Sequence, residues 1–323
     1  MTGEASARRK VVLGVVFALL GAPVVLALVE AVSFDVANRN NGAIVSSGET
    51  REYLLYVPRS HDRTKPTPLV ISLHGAAMWP AAQMAVSEWN RVADRQGFIV
   101  VYPSGTGLAR HKAWQAGHPR GEAKDVRFIK DLIDTLKASH NIDPSRVYAD
   151  GVSNGAGMAF RLSCALSDRI AAIGMVASAV FPSWESCPDQ RPSPTIVFHG
   201  TADPIAPYHG GATWVARDNP FADIPAWTAQ RAEGNGCEPT PVGAAVAKDV
   251  TRTRYKRCRD GADVELYTIH EGGHSWPGGG RLAEWFVGRT TTSIDASSVM
   301  WEFFSAHPLP SAGRQTTENP GRL

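Results

Sequence analysis

Cysteine is scarce in this chain, four in 323 residues, and no two of them form a Cys-x-x-Cys pair. That spacing excludes a zinc ribbon and a dithiol redox motif. Charge of either sign is nearly balanced at +2. The basic residues are scattered apart from Arg8-Arg9-Lys10 and the Arg252 to Arg259 stretch, which carries only Tyr255 as an aromatic, so no nucleic-acid partner is expected. Internal repeats and low-complexity segments are missing, which argues against solenoids and disordered linkers. What remains is an ordinary globular composition, 43% hydrophobic and 20% charged, enough for one α/β domain of about 280 residues with a full core.

Only one long apolar run is present, Val11 to Val29, broken by glycines and Pro23 and preceded by Arg8-Arg9-Lys10. A basic start, an apolar stretch and the small residues Ala27 and Ala31 read as an export signal. Pro23 and Glu30 favour cleavage over retention as a membrane anchor, although the run is long enough to span. The expected organisation is a signal peptide or N-terminal anchor at 1–32, a catalytic domain at 33–308 and a polar flexible tail at 309–323. The body then works outside the cytoplasm, extracellular or periplasmic, and meets a membrane only if the leader stays attached. Cys164, Cys187, Cys237 and Cys258 suit that compartment. Of three possible connectivities, chain order favours Cys164 with Cys187 and Cys237 with Cys258, each loop of about 22 residues contributing roughly 3 kcal/mol.

Apolar runs read as strands near 52–57, 68–73, 98–102, 146–150, 171–178, 195–199 and 263–269, and helices near 81–96, 124–140, 154–167, 222–234 and 291–306. Phe128, Leu132, Ile133 and Leu136 form one apolar stripe, as an amphipathic helix requires. Helices alternating with strands from residue 68 onward imply an α/β fold, a mainly parallel sheet covered on both faces.

The strand ending at Asp150 runs into Gly151-Val152-Ser153-Asn154-Gly155, and a helical pattern runs out of it. This is the context of a nucleophile elbow, where the serine hydroxyl stands at a sharp strand-to-helix corner. A serine needs a base, and the base needs an acid to hold its tautomer. Asp203 follows the apolar run Thr195 to Phe198, and His274 follows Val264 to Ile269. The order Ser153, Asp203, His274 is that of α/β-hydrolases. Pro68 to Leu73 ends in His74-Gly75-Ala76, where the Ala76 N–H pairs with the Asn154 N–H as an expected oxyanion hole. His74 and His199, each before a glycine at a strand end, read as structural.

His270-Glu271-Gly272-Gly273-His274 also spells the His-Glu-x-x-His pattern of zinc metallopeptidases, which needs both histidines on one helical face. Two glycines cost about 2 kcal/mol of helix propensity, Pro277 ends any helix, and the preceding residues alternate as a strand. An exported zinc metallopeptidase using His270 and His274 is therefore the different-class alternative.

Leu73-His74-Gly75, Tyr102-Pro103, Asp125-Val126-Arg127-Phe128-Ile129, the Ser153 elbow, His199-Gly200-Thr201-Ala202-Asp203, Asn235-Gly236-Cys237 and His274-Ser275-Trp276-Pro277-Gly278 together resemble the secreted polyhydroxybutyrate depolymerase and feruloyl esterase family of α/β-hydrolases. The resemblance runs from about residue 48 to 306. It implies a serine esterase with Ser153 as nucleophile, Asp203 as acid and His274 as base, acting on hydroxyalkanoate oligomers, on feruloylated or acetylated polysaccharide, or on small esters. It places Trp276, and with it Trp114, at the acyl or alcohol pocket, though a tryptophan after a loop serves plain packing equally well. No metal and no organic cofactor are implied. The lack of a linker and appended binding module points to soluble oligomers or small esters. Asp150, before the elbow, departs from the family pattern, in which a small residue is more usual.

Overall fold

Leu69, Val70, Ile71 and Leu73 are apolar on both sides of the chain, and the strand Thr67–Leu73 is buried along its whole length, as a central strand covered on both faces must be. The computed structural model describes residues 39–107, 112–116, 124–182, 191–280 and 282–310. The expected leader at 1–32, Cys187 and residues 311–323 of the expected tail lie outside them. Every element described lies within Asn40–Leu323.

In chain order these are β1 (Gly42–Ser46), β2 (Glu49–Tyr56), β3 (Thr67–Leu73), α1 (Pro80–Ser87), α2 (Trp89–Gln96), β4 (Ile99–Pro103), α3 (Lys124–His140), β5 (Ile142–Val152), α4 (Asn154–Ala165), β6 (Ile173–Val176), β7 (Thr195–Gly200), β8 (Gly211–Thr213), β9 (Ala216–Phe221), α5 (Ile224–Gly234), β10 (Val242–Ala247), β11 (Val250–Tyr255), β12 (Val264–Ile269), α6 (Glu284–Val287) and α7 (Ala296–Ala306). One ten-stranded sheet has the order β1-β2-β4-β3-β5-β6-β7-β12-β11-β10, and β8 with β9 forms a separate hairpin. The six strands from β4 to β12 in that order run parallel, while antiparallel pairs finish both borders. This is the mainly parallel α/β sheet expected. One apolar cluster packs α3, α4 and α5 on one face, and the other packs α1, α2 and α7 on the opposite face.

The helix expected over 81–96 is two helices, because Glu88 adopts a left-handed conformation (φ 51°) between them. Helix α5 starts at Ile224 since Asp223 caps the Ala226 N–H, and α7 starts at Ala296 since Asp295 caps Ser298. The β10–β11 hairpin escapes the sequence reading. Its register shifts between Ala245 and Ala247, leaving a bulge in the border strand. Cys237 and Cys258 are bonded to each other as expected, and Cys164 is disulfide-bonded.

Candidate functional site

Residues Ser153, Asp203 and His274 follow β5, β7 and β12 respectively, so parallel strands deliver all three to the same edge of the sheet. This is the carboxyl edge, where open α/β sheets bind ligands. Ser153 is half-buried at the N-cap of α4 with φ 55° and ψ −118°, a conformation that L-residues rarely hold. Its N–H donates to Val176 O at 2.9 Å, and its carbonyl accepts from Gly157 and Ala179. The turn exists because the flanking glycines permit close approach. A Cβ on Gly151 would lie 2.4 Å from the Gly155 carbonyl carbon, and one on Gly155 would lie 2.2 Å from Leu73 O. Helix α4 thus begins directly against the end of β3.

His274 Nδ1 and Asp203 Oδ2 stand 2.8 Å apart, both buried. Asp203 Oδ1 accepts from the Ile205 and Ala206 N–H groups, each at 2.8 Å. Burial alone would raise this carboxyl, but hydrogen bonds from His199 and His274 outweigh it and hold it well below the usual carboxylate range. An ionised Asp203 only accepts, so Nδ1 carries the His274 proton and Nε2 presents a lone pair, as a general base needs. His199 supports the acid: its Nδ1 accepts from Ser178 N–H at 3.2 Å, and its Nε2–H faces Ala206 O at 2.8 Å and Asp203 Oδ2 at 3.4 Å. The acid and base loops are stitched together by Ala202 N–H to Gly272 O (2.9 Å), Thr201 N–H to Ile269 O (2.9 Å) and Glu271 N–H to Thr201 Oγ1 (2.9 Å). Ser153 Oγ makes no hydrogen bond to His274, a separation common before substrate tightens such contacts.

Gly75 adjoins the elbow, since a Cβ built on it would stand 3.5 Å from Ser153 Cβ. The next residue, Ala76, is exposed, and neither its N–H nor that of Asn154 donates to another group among the described residues. The Asn154 side chain instead clamps the neighbouring segment, accepting from Trp114 N–H at 2.7 Å and donating to Trp114 O at 3.1 Å. His74 accepts from Gly105 N–H at Nε2 (3.0 Å) and donates from Nδ1 to Gly75 O (2.8 Å), and burial pushes it down to about 4. It is a neutral strut for the loop.

Two sequence expectations need correction. Trp276 is 1% exposed and its indole N–H donates to Ser297 Oγ at 3.0 Å, while Trp114 is 4% exposed and donates to His74 O at 2.9 Å. Both rings are packed inside, and their only indole donors are spent on the protein, so neither lines a pocket. Among the described residues the aromatics that do stand in solvent are Trp214 (61%), Trp285 (89%) and Phe286 (45%). They flank the acid and base loops: Thr213 Oγ1 donates to Ile205 O at 3.2 Å, His274 N–H donates to Val287 O at 2.5 Å, and Trp214 and Phe286 rings lie 6.1 Å apart. Their only sequence signal is bulky aromatics set between loop residues. The metallopeptidase alternative lacks its geometry as well. Residues 270–280 form turns, with His270 exposed and bonded to Thr251 while His274 is buried on Asp203. Among the described residues no group of three potential metal ligands is present.

Residues 51–203 match the family model described as Esterase PHB depolymerase. The chain is 30% identical to feruloyl esterase B of Piromyces equi over 246 residues, covering 73% of this chain and 45% of that protein. It spans less than half the length of that relative. It is also 30% identical to a putative esterase, NocK, of Nocardia uniformis subsp. tsuyamanensis over 258 residues, 73% of both chains. Among solved structures, an acetyl xylan esterase from Aspergillus awamori superposes with a TM-score of 0.55 at 15% identity, covering 79% of this chain and 94% of that one, which speaks to the fold. With the elbow inside the matched segment, Asp203 at its end and a relative of this identity aligned over nearly three quarters of its length, the chain belongs to the PHB depolymerase family of esterases.

Proposed function

We propose that the protein is an exported serine esterase that cleaves carboxylic esters through an acyl-enzyme. The observation that carries this reading is the Asp203–His274 pair at 2.8 Å on the sheet edge that also holds the Ser153 elbow. Ser153 Oγ attacks the ester carbonyl carbon while His274 Nε2 takes its proton. The oxyanion is met by the unspent Ala76 and Asn154 N–H groups. Collapse breaks the carbon–oxygen bond to the alcohol, which leaves with the proton from His274. Water then attacks the acyl-enzyme by the same route and releases the acid and free Ser153.

A fluorophosphonate probe is expected to add one adduct, located on Ser153 by peptide mass spectrometry, with loss of p-nitrophenyl acetate hydrolysis in step and no loss on treatment with a chelator. Chelator-sensitive activity restored by zinc would instead support the metallopeptidase reading.

Hydroxyalkanoate oligomers are the first substrate class in this proposal. Feruloylated or acetylated polysaccharide esters are the second, favoured by the solvent-exposed rings of Trp214, Trp285 and Phe286 beside the acid and base loops. Those rings suit a ring-shaped substrate portion, since stacking on an exposed tryptophan contributes about 1 kcal/mol or more. Trp285→Ala is expected to lower kcat/KM for methyl ferulate on the order of fivefold to tenfold more than for p-nitrophenyl acetate. Equal losses on both substrates, measured side by side, would remove the rings from substrate recognition.

A further inference from the structure

Asp150 is a fully buried carboxyl that the acyl-transfer scheme leaves unused. It lies on β5 directly before the elbow glycine, and its Oδ1 accepts from Ser72 Oγ at 2.7 Å. Ser72 Oγ accepts in turn from Gln83 Nε2 at 3.0 Å. Ser72 and Asp150 are register partners across β3 and β5. Strand β3 continues into the loop of Ala76 and β5 continues into Ser153, so this one bond joins the strand bearing an oxyanion amide to the strand bearing the nucleophile.

Asp150 Oδ2, Gln83 Oε1, Ser87 Oγ and Trp89 Nε1 are all buried without a hydrogen bond of good geometry, although Trp89 lies close enough to Asp150, and Ser87 to Tyr102, to favour the charged form of each. Such atoms are rare in natural interiors, and four near one short chain of bonds ask for a cause. Gln83 and Ser87 are one turn apart on α1, and Trp89 opens α2. An ionised Asp150 would set a charge with no cation beside it among them, whereas the acid form adds an O–H donor to a group in which the acceptor Gln83 Oε1 lacks one.

No Lys, Arg or His side chain pairs with Asp150 among the described residues. The buried titratable groups on the elements around it are tyrosines; Arg91, Asp94 and Arg95 of α2 and Glu302 of α7 are exposed, and Asp143 and Arg146 at the start of β5 pair with each other. Tyr102 of β4 donates to Asn90 Oδ1 at 2.8 Å and is held well above its usual range by burial and by Asp150, and Tyr148 lies two residues earlier on β5, also raised by burial. Strand β3 contributes Ser72, α1 contributes Gln83 and Ser87, α2 contributes Trp89, and α7 contributes Ser297, none of which ionises. Burial pushes the Asp150 carboxyl up to about 8 against the lowering effects of hydrogen bonds from Ser72 and Trp89.

We propose that Asp150 is a protonated positioning residue: neutral, it locks β5 to β3 and holds the Ser153 elbow against the Ala76 loop, and its ionisation disables the site in alkaline solution. A buried negative charge three residues from Ser153 also opposes the oxyanion that must form there. Because the folded chain keeps a proton that the unfolded chain releases near pH 4, stability falls as pH rises from about 4 to about 8.

The kinetic arm of the test rests on the serine-esterase reading, and the spectroscopic arm does not. Wild-type kcat/KM for p-nitrophenyl acetate is expected to fall on the alkaline side with a midpoint near pH 8, to about one tenth of its plateau one pH unit higher. Asp150→Asn, which mimics the neutral acid, is expected to lose that limb and to keep a constant Tm over the range in which the wild-type Tm declines. Ser72→Ala should lower kcat and keep the limb, moved to higher pH because the hydrogen bond that favours the ionised carboxyl is gone. Infrared spectra of the wild-type protein should show a protonated carboxyl at pH 7 that titrates away by pH 10, a reading independent of activity and of whether any variant folds. An unchanged alkaline limb in Asp150→Asn, or no protonated carboxyl at pH 7, would overturn the proposal.

Discussion

Asp203→Asn is expected to lower kcat by about 10⁴ with a much smaller change in KM, as the loss of a triad acid does in serine hydrolases generally. The cause is specific to this loop. An asparagine can keep its oxygen on the Ile205 and Ala206 N–H groups, the partners of Asp203 Oδ1. Its NH₂ then replaces the oxygen that receives His274 Nδ1 and lies 3.4 Å from His199 Nε2. Against that donor, His274 is turned to the tautomer with its proton on Nε2, and the base is gone. His199 meets a second donor, so some stability is lost as well. His274→Ala should be at least as severe, and the double variant little worse than the worse single one, because residues acting as a unit are not additive. Steady-state kinetics on a soluble ester, with circular dichroism to confirm folding, decides the matter. Near-normal turnover in Asp203→Asn would send the search for the acid to Asp223, which already bonds His209.

Gly155→Ala is expected to cost about 3 kcal/mol of stability or more and to remove at least 99% of activity in whatever folds. The added Cβ would sit 2.2 Å from Leu73 O and 2.6 Å from His74 O, and neither backbone carbonyl can step aside without moving the end of β3. Either α4 retreats, carrying the Asn154 N–H away from the Ala76 loop, or the loop does. Gly243→Ala is the matched control. It lies on exposed β10 with nothing within 4 Å of the new methyl, so it should stay within about 0.5 kcal/mol. Comparable thermal destabilisation of the two variants would contradict the close-approach account.

The parts of this chain legible in advance are those where burial leaves a period. Phe128, Leu132, Ile133 and Leu136 are all buried on α3, and the apolar runs before Ser153, Asp203 and His274 are the buried strands β5, β7 and β12. Each strand therefore announced where its loop, and the polar residue in it, would emerge. The β10–β11 hairpin left no such trace, because β10 is held by main-chain pairing and its side chains are mostly exposed. Glu88 breaks a helix in a conformation that glycine usually supplies, so nothing in the letters marks the break. Trp276 and Trp114 were misjudged for another reason: motif position places a residue along the chain but not in depth, and depth depends on Ser297 and His74 arriving from far away in sequence.

The bulge in β10 has a bearing on self-association. This border strand, Val242-Gly243-Ala244-Ala245-Val246-Ala247, carries no charge and exposes Val242 and Val246, the composition that invites a strand from another molecule to add on. The register shift after Ala245 shortens the straight part to Val242–Ala245, about 13 Å at the usual rise per residue, below the six or seven residues of a self-propagating segment. Lys248, exposed at the turn, puts a charge at the far end of the strand. The irregularity thus shortens the straight stretch of this border that a strand from a neighbouring molecule could pair with.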